Sequence, residues 1–170
     1  DCVRTQDQAD ALAALLDALQ VRSVPALVGG SYGAMVGLSF AAHHHERLDR
    51  LVAIAGAHRP HPMATAQRAV QRGILQLGID NGHEAECVAL ARQLALTTYR
   101  GRAELAERFA GPAEQRGKRW QLPVETWLEH HGRKFAARFS ASRYLAPSRS
   151  IDLHRVDQAA CKLPVSLVGI

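Results

Sequence analysis

The run Leu27-Val28-Gly29-Gly30-Ser31-Tyr32-Gly33 constrains this chain more than any other stretch. An apolar segment, Ala26 to Val28, stops at two glycines and a serine. A helix-like segment, Tyr32 to Ala42, follows at once. Strand, sharp turn with serine, helix is the layout of a nucleophile elbow, and Gly29-x-Ser31-x-Gly33 fits its G-x-S-x-G pattern. Geometry accounts for the residue types. A strained turn lifts the serine hydroxyl out of the sheet, and side chains at Gly29 and Gly33 are expected to clash with the neighbouring strand and helix. The helix start leaves free backbone N–H groups beside the hydroxyl, and these can hold a developing oxyanion. A plain strand-to-helix turn can carry the same five residues; the apolar runs on both sides favour the elbow.

The flanking chain reads as α/β. Thr5-Gln6-Asp7-Gln8 predicts a capping box, with Thr5 as cap and Gln8 reaching back. Ala9, Leu12, Leu16 and Leu19 recur at helical spacing after it. The strand at Ala26 to Val28 lacks polar alternation, which suits a strand buried on both faces of a parallel sheet. Leu51 to Ala55 is a second such strand, and strand, helix, strand in this order predicts a right-handed parallel unit. Gly56 to Pro62 is a loop. From Met63 to about Tyr144 only helical periodicity is present, marked by Ala66, Val70, Ile74 and Leu77, by Val88, Ala91 and Ala95, by Arg102 to Phe109, and by Val124 to Phe139. Arg149 to Val156 reads as the last helix, before a strand at Val165 to Val168. The expected organisation is an incomplete sheet core, residues 1–62 and 147–170, with an inserted helical lid, residues 63–146.

Composition narrows the function classes. A chain of 170 residues can bury one core, and no apolar run spans a bilayer, so no membrane partner is expected. The formal charge of +5 is spread along the chain without interleaved aromatics, which argues against nucleic-acid binding. Cys2, Cys87 and Cys161 are odd in number and widely spaced, which predicts reduced thiols in a cytoplasmic protein and no metal site. A helix almost at the first residue and a bare strand at the last predict that the chain is a fragment of a longer one.

Four stretches carry a resemblance. They are Val28-Gly29-Gly30-Ser31-Tyr32-Gly33-Ala34-Met35; Ala91-Arg92 with Leu96-Thr97-Thr98-Tyr99-Arg100, Glu104 and Arg108-Phe109; Val124-Glu125 and Leu128 with Gly132-Arg133-Lys134-Phe135, Arg138-Phe139 and Tyr144-Leu145; and Leu163-Pro164 through Gly169-Ile170. In this order they resemble the homoserine O-acyltransferases of methionine biosynthesis, enzymes of the α/β-hydrolase fold. Tyr32, Ala34 and Ser140-Ala141-Ser142-Arg143 depart from the family's usual residues.

The resemblance implies acyl transfer through an acyl-serine. Ser31 is the nucleophile, the Tyr32 backbone N–H an oxyanion donor, and Arg100 the group that holds the homoserine carboxylate. The co-substrate is acetyl-CoA or succinyl-CoA, the acceptor L-homoserine, and no further cofactor is implied. The family's catalytic Asp and His would lie beyond Ile170, so residues 1–170 alone are expected to be inactive. A homodimer through the helical lid is also implied. Two other readings share parts of this pattern: a serine esterase of the same fold, which has no reason for Arg100, and a non-catalytic lid and dimerisation fragment.

The histidines offer no obvious base. His43, His44 and His45 close the elbow helix, and consecutive helical residues diverge, which argues against a shared metal. His58 and His61 sit at the ligand-binding edge of such a sheet, although plain loop histidines fit as well. His130, His131 and His154 read as helix-surface residues, and Asp152 and Asp157 as a cap or solvated charge.

Overall fold

The computed structural model describes residues 2–169. In chain order the elements are α1 (Thr5–Ala18), β1 (Leu27–Gly30), α2 (Tyr32–His43), β2 (Leu51–Ile54), α3 (Pro62–Asn81), α4 (Glu84–Leu96), α5 (Arg102–Arg108), β3 (Glu114–Arg116), β4 (Arg119–Gln121), α6 (Pro123–Ala136), α7 (Ala141–Leu153) and β5 (Val165–Val168). Two compact units result. The first holds residues 1–62 and 146–170, the second Met63–Leu145.

The first unit is built on a parallel sheet of order β1-β2-β5. Leu27, Leu51 and Val165 stand in register, as do Gly29, Ala53 and Leu167. α2 packs over β1 and β2, and α1 packs on α2. The core is Ala9, Ala13, Ala34, Leu38, Phe40, Ala41, Leu48, Leu51, Ala53 and Val156. Small residues on α1 and α2 let these helices approach closely. The expectation of a strand buried on both faces fails at β1, where Val28 is 65% exposed. Successive side chains alternate across a strand, so the face carrying Leu27 meets the core while Val28 points away from it.

Thr5 is not the cap of α1. Arg4 is, and its backbone N–H donates to Asp7 Oδ2 at 2.7 Å. Thr5 is the first helical residue and is buried. His154, expected on a helix surface, is also buried, because α7 ends at Leu153 and the next residue turns inward. Asp157 does cap, accepting from the Ala159 N–H at 3.0 Å.

In the second unit α4 packs against α6. Gly132 permits the close approach: a Cβ there would lie 2.7 Å from the Ala89 carbonyl oxygen. Leu75, Val88, Ala91 and Ala141 form the core, flanked by Ile74, Phe135, Tyr144 and Leu145. The Tyr144 hydroxyl donates to Gln71 Oε1 at 3.0 Å, and burial pushes its pKa up to about 12. The expectation of helix alone fails here. β3 and β4 pair as an antiparallel hairpin around Gly117 and Lys118, with Gly117 at φ 65°. Strands of three residues are too short to declare a period of two. α7 also begins earlier than expected and carries Pro147 inside it. Among the described residues no helix is long and apolar enough to cross a membrane.

Candidate active site

Ser31 joins β1 to α2 with φ 52° and ψ −116°, outside the regions that L-residues favour. Its N–H donates to the Ile54 carbonyl at 2.8 Å, which ties the turn to the end of β2. Its own carbonyl accepts from Ala34 at 3.0 Å and Met35 at 3.2 Å, so α2 starts directly on it. The side chain is exposed. Among the described residues none hydrogen-bonds the Ser31 hydroxyl. The Tyr32 N–H, first of the helix, is likewise without a partner among them.

The two glycines of the elbow differ. A Cβ at Gly29 would lie 2.4 Å from the Gly33 carbonyl oxygen and 2.7 Å from the Ala34 nitrogen. A Cβ at Gly33 would meet nothing within 4 Å. The clash expected at both positions therefore exists only at Gly29: the Gly33 backbone itself lies against β1, but the Cβ direction at Gly33 opens into free space.

Two polar arrangements that tie the elbow helix α2 to the rest of its unit were illegible in the sequence. The Tyr32 hydroxyl is 2.8 Å from Ser150 Oγ, a buried group 118 residues away. Ser39 donates to Thr5 Oγ1 at 3.0 Å, and Thr5 Oγ1 is 2.7 Å from His154 Nδ1. Both join positions from opposite ends of the chain, and no local pattern marks such a pair. His58 lies on the loop after β2, with Nδ1 3.1 Å from Gln158 Nε2. It borders a recess of about 560 Å³ lined also by Leu38, Cys161, Leu163, Val165 and Leu167. His43 bonds the Ser39 carbonyl and His44 bonds Asp10, whereas Nδ1 of His45 has no hydrogen-bond partner among the described residues and lies 3.8 Å from Glu46. The three cysteines are free.

Arg100 belongs to the second unit. It lies beyond the end of α4, exposed, and pairs with Glu104 one helical turn on. The Arg92 guanidinium, from α4, lies 4.8 Å from the Phe135 ring centre and 5.3 Å from that of Tyr99.

A three-stranded parallel sheet with a strained serine between strand and helix is the elbow of a hydrolase-type fold. The chain belongs to the alpha/beta hydrolase fold family, whose model matches residues 2–146. It is 47% identical over 168 residues to the homoserine O-succinyltransferase of Xanthomonas campestris, covering 99% of this chain and 46% of that protein. It is 36% identical to the homoserine O-acetyltransferase of Symbiobacterium thermophilum, covering 89% of this chain and 43% of the relative. The chain thus spans less than half the length of these relatives. Among solved structures, the homoserine O-acetyltransferase of Staphylococcus aureus matches with a TM-score of 0.78 at 23% identity, covering 99% of this chain and 50% of the other. Esterase E22 matches with a TM-score of 0.83 at 17% identity, covering 98% of this chain and 52% of the other. At such identities these two structures speak to fold alone.

Proposed function

We propose that the chain is the serine-bearing part of a homoserine O-acyltransferase that moves a succinyl group from succinyl-CoA to the hydroxyl of L-homoserine. The observation that carries this reading is the 47% identity to a homoserine O-succinyltransferase across 99% of the chain. The 36% identity to an acetyltransferase is the weaker of the two likenesses, which favours succinyl over acetyl.

The chemistry runs in two halves. Ser31 Oγ adds to the thioester carbonyl, the C–S bond breaks, and CoA leaves as the thiol with the serine proton. The homoserine hydroxyl then adds to the acyl-serine, and its proton returns to Ser31 as the ester exchanges. In this reading the Tyr32 N–H holds the oxyanion of each step, supported by its place at the start of α2 without an acceptor among the described residues. A serine hydroxyl needs a base at neutral pH. The resemblance assigns that base to a His oriented by an Asp, in the portion of the full-length relatives that this chain does not span. Arg100 holds the homoserine carboxylate in this reading. Dimerisation through the helical unit belongs to it too, supported by the exposed apolar residues Val70, Leu77 and Leu90 and tested by sedimentation.

The test uses full-length protein with succinyl-CoA. The expected result is acylation of the Ser31 peptide by mass spectrometry, then O-succinylhomoserine when homoserine is added. Release of succinate to water, unaffected by homoserine, would instead make it an esterase of the same fold.

A further inference from the structure

The helical unit carries a basic recess that the elbow chemistry leaves unused. It has a volume of about 220 Å³ and is lined by Arg92, His131, Lys134, Phe135, Arg138 and Phe139. Four of these six side chains are basic and none is acidic. Among the described residues Arg92, Lys134 and Arg138 form no ion pair. Elsewhere in the same unit Arg100 pairs with Glu104, Arg116 with Glu114 and Arg133 with Glu129, while Arg102, Arg108, Arg119 and Arg143 form no ion pair among the described residues. What sets Arg92, Lys134 and Arg138 apart is that they line one recess together.

Like charges gathered without a counter-charge repel one another. His131 registers this: burial first, then the charges of His130, Lys134, Arg108 and Arg92, hold its pKa below the usual value. The helix dipole favours Lys134 in the last turn of α6. It does not account for Arg92, which comes from α4, or for Arg138, which lies past the end of α6. Arg92 is also flanked by aromatic rings, with its guanidinium over those of Phe135 and Tyr99. A guanidinium fixed on ring faces is oriented before any anion arrives. Phe135 and Phe139 stack at 4.4 Å with an interplanar angle of 2°, and Phe139 remains 41% exposed.

We propose that Arg92, Lys134 and Arg138, beside the Phe135–Phe139 stack, bind the phosphates of the nucleotide end of the acyl-CoA donor. The inference rests on the acyltransferase reading for the identity of the ligand. Several cations without an acid match a ligand with several phosphate charges, whereas one carboxylate would be satisfied by one arginine fork. The adjacent rings offer a surface for the purine, as base–aromatic stacking does elsewhere.

The experiment measures binding of CoA and of adenosine 3′,5′-bisphosphate to the full-length protein by calorimetry, against adenosine as the uncharged control. Both phosphorylated probes should bind, more weakly as salt rises, and adenosine should not. Lys134→Gln and Arg138→Gln, which leave the Arg92 ring contacts intact, should each weaken both probes by about tenfold, a loss of about 1.4 kcal/mol. Their melting temperatures should match the parent protein. CoA affinity unchanged in both variants, or failure of the bisphosphate to compete with CoA, overturns the proposal. Acyl transfer that persists with an unchanged KM for acyl-CoA in these variants sinks the recess and leaves the function standing. Salt-sensitive CoA binding lost in the variants, in a protein that never acylates Ser31, keeps the recess and sinks the acyltransferase reading.

Discussion

Thr5 Oγ1 lies 2.7 Å from Nδ1 of His154, across 149 residues of sequence, and all of it is buried. Ser39 donates to Thr5, and the Thr5 hydroxyl shares a second hydrogen bond with His154 Nδ1 whose donor is set by the imidazole tautomer. The other ring nitrogen, Nε2, is buried without a hydrogen-bond partner among the described residues. The chain of hydroxyls joins α1, the middle of the elbow helix α2 and the residue after α7. It fixes α2, and α2 begins at Ser31.

A pH dependence of stability follows. Burial, then repulsion from His58, holds the His154 pKa below the usual 6.5, partly offset by the Ala57 backbone, though no hydrogen bond of ordinary geometry reaches Nε2. In the unfolded chain the ring takes up a proton near 6.5, in the fold only at lower pH. Below the unfolded value the unfolded state binds more protons, so stability is full above it and falls as pH drops toward the folded value. The slope contributed by one such group approaches about 1.4 kcal/mol per pH unit. Denaturant titrations from neutral to mildly acidic pH should show it, and His154→Gln should flatten it. An equal slope in the variant would mean that other groups carry the acid sensitivity.

The elbow glycines should separate cleanly. At Gly29 an added methyl meets the backbone of Gly33 and Ala34, and neither can swing aside. Gly29→Ala should cost at least about 2 kcal/mol, toward the upper part of the usual range for overpacking. Gly33 lies in α2 with open space around its Cβ position. Gly33→Ala should be neutral or should stabilise by up to about 1 kcal/mol through helix propensity. Equal losses at the two positions would mean that the α2–β1 approach is not as close as described.

The elbow was legible because its information is local. A turn of five residues between two apolar runs places Ser31 without reference to anything distant. The resemblance likewise singled out Tyr32 and Arg100 from contiguous motifs. His154 was misread because a histidine one residue past a helix has no local sign of which way it turns. Its partner Thr5 was misread as a cap for a related reason: Thr suits a cap, and only the distant imidazole explains why it faces inward. The run Ala26–Val28 correctly announced a strand, but its lack of alternation overstated the burial of Val28. The hairpin around Gly117 was hidden by the brevity of its strands, although a glycine at positive φ is what a tight two-residue turn demands.

Ser31 should be held in its conformation at a cost. Backbone strain of this kind is worth roughly 1–3 kcal/mol. Glycine relieves it but loses about 0.4–1 kcal/mol through the freer unfolded chain. Ser31→Gly should therefore be more stable than Ser31→Ala by about 1 kcal/mol in denaturant melts, and both should fail to form acyl-enzyme. Equal stability of the two variants would show that the turn is relaxed at this residue.

Arg100 is the residue that would separate an acyltransferase from an esterase with the same serine. In the proposed acyltransferase reading, the acceptor L-homoserine carries a carboxylate a few bonds from the hydroxyl that attacks the acyl-serine. Anchoring that carboxylate holds the hydroxyl in position, and water has no such handle. Arg100 pairs with Glu104 at an exposed site, so breaking that pair to receive a substrate costs little, about 0–1 kcal/mol. A planar guanidinium can then offer two parallel N–H donors to the incoming carboxylate. For a bidentate contact that the bound substrate leaves largely dry, Arg100→Ala in the full-length protein should lower kcat/KM for homoserine by a factor equivalent to about 2–4 kcal/mol. CoA release in the first half-reaction should change far less. Arg100→Lys should restore only part, because one ammonium cannot reproduce the fork, and Glu104→Gln should leave homoserine use nearly intact. A variant whose CoA release collapses while its homoserine dependence stays unchanged would move Arg100 from the acceptor to the donor.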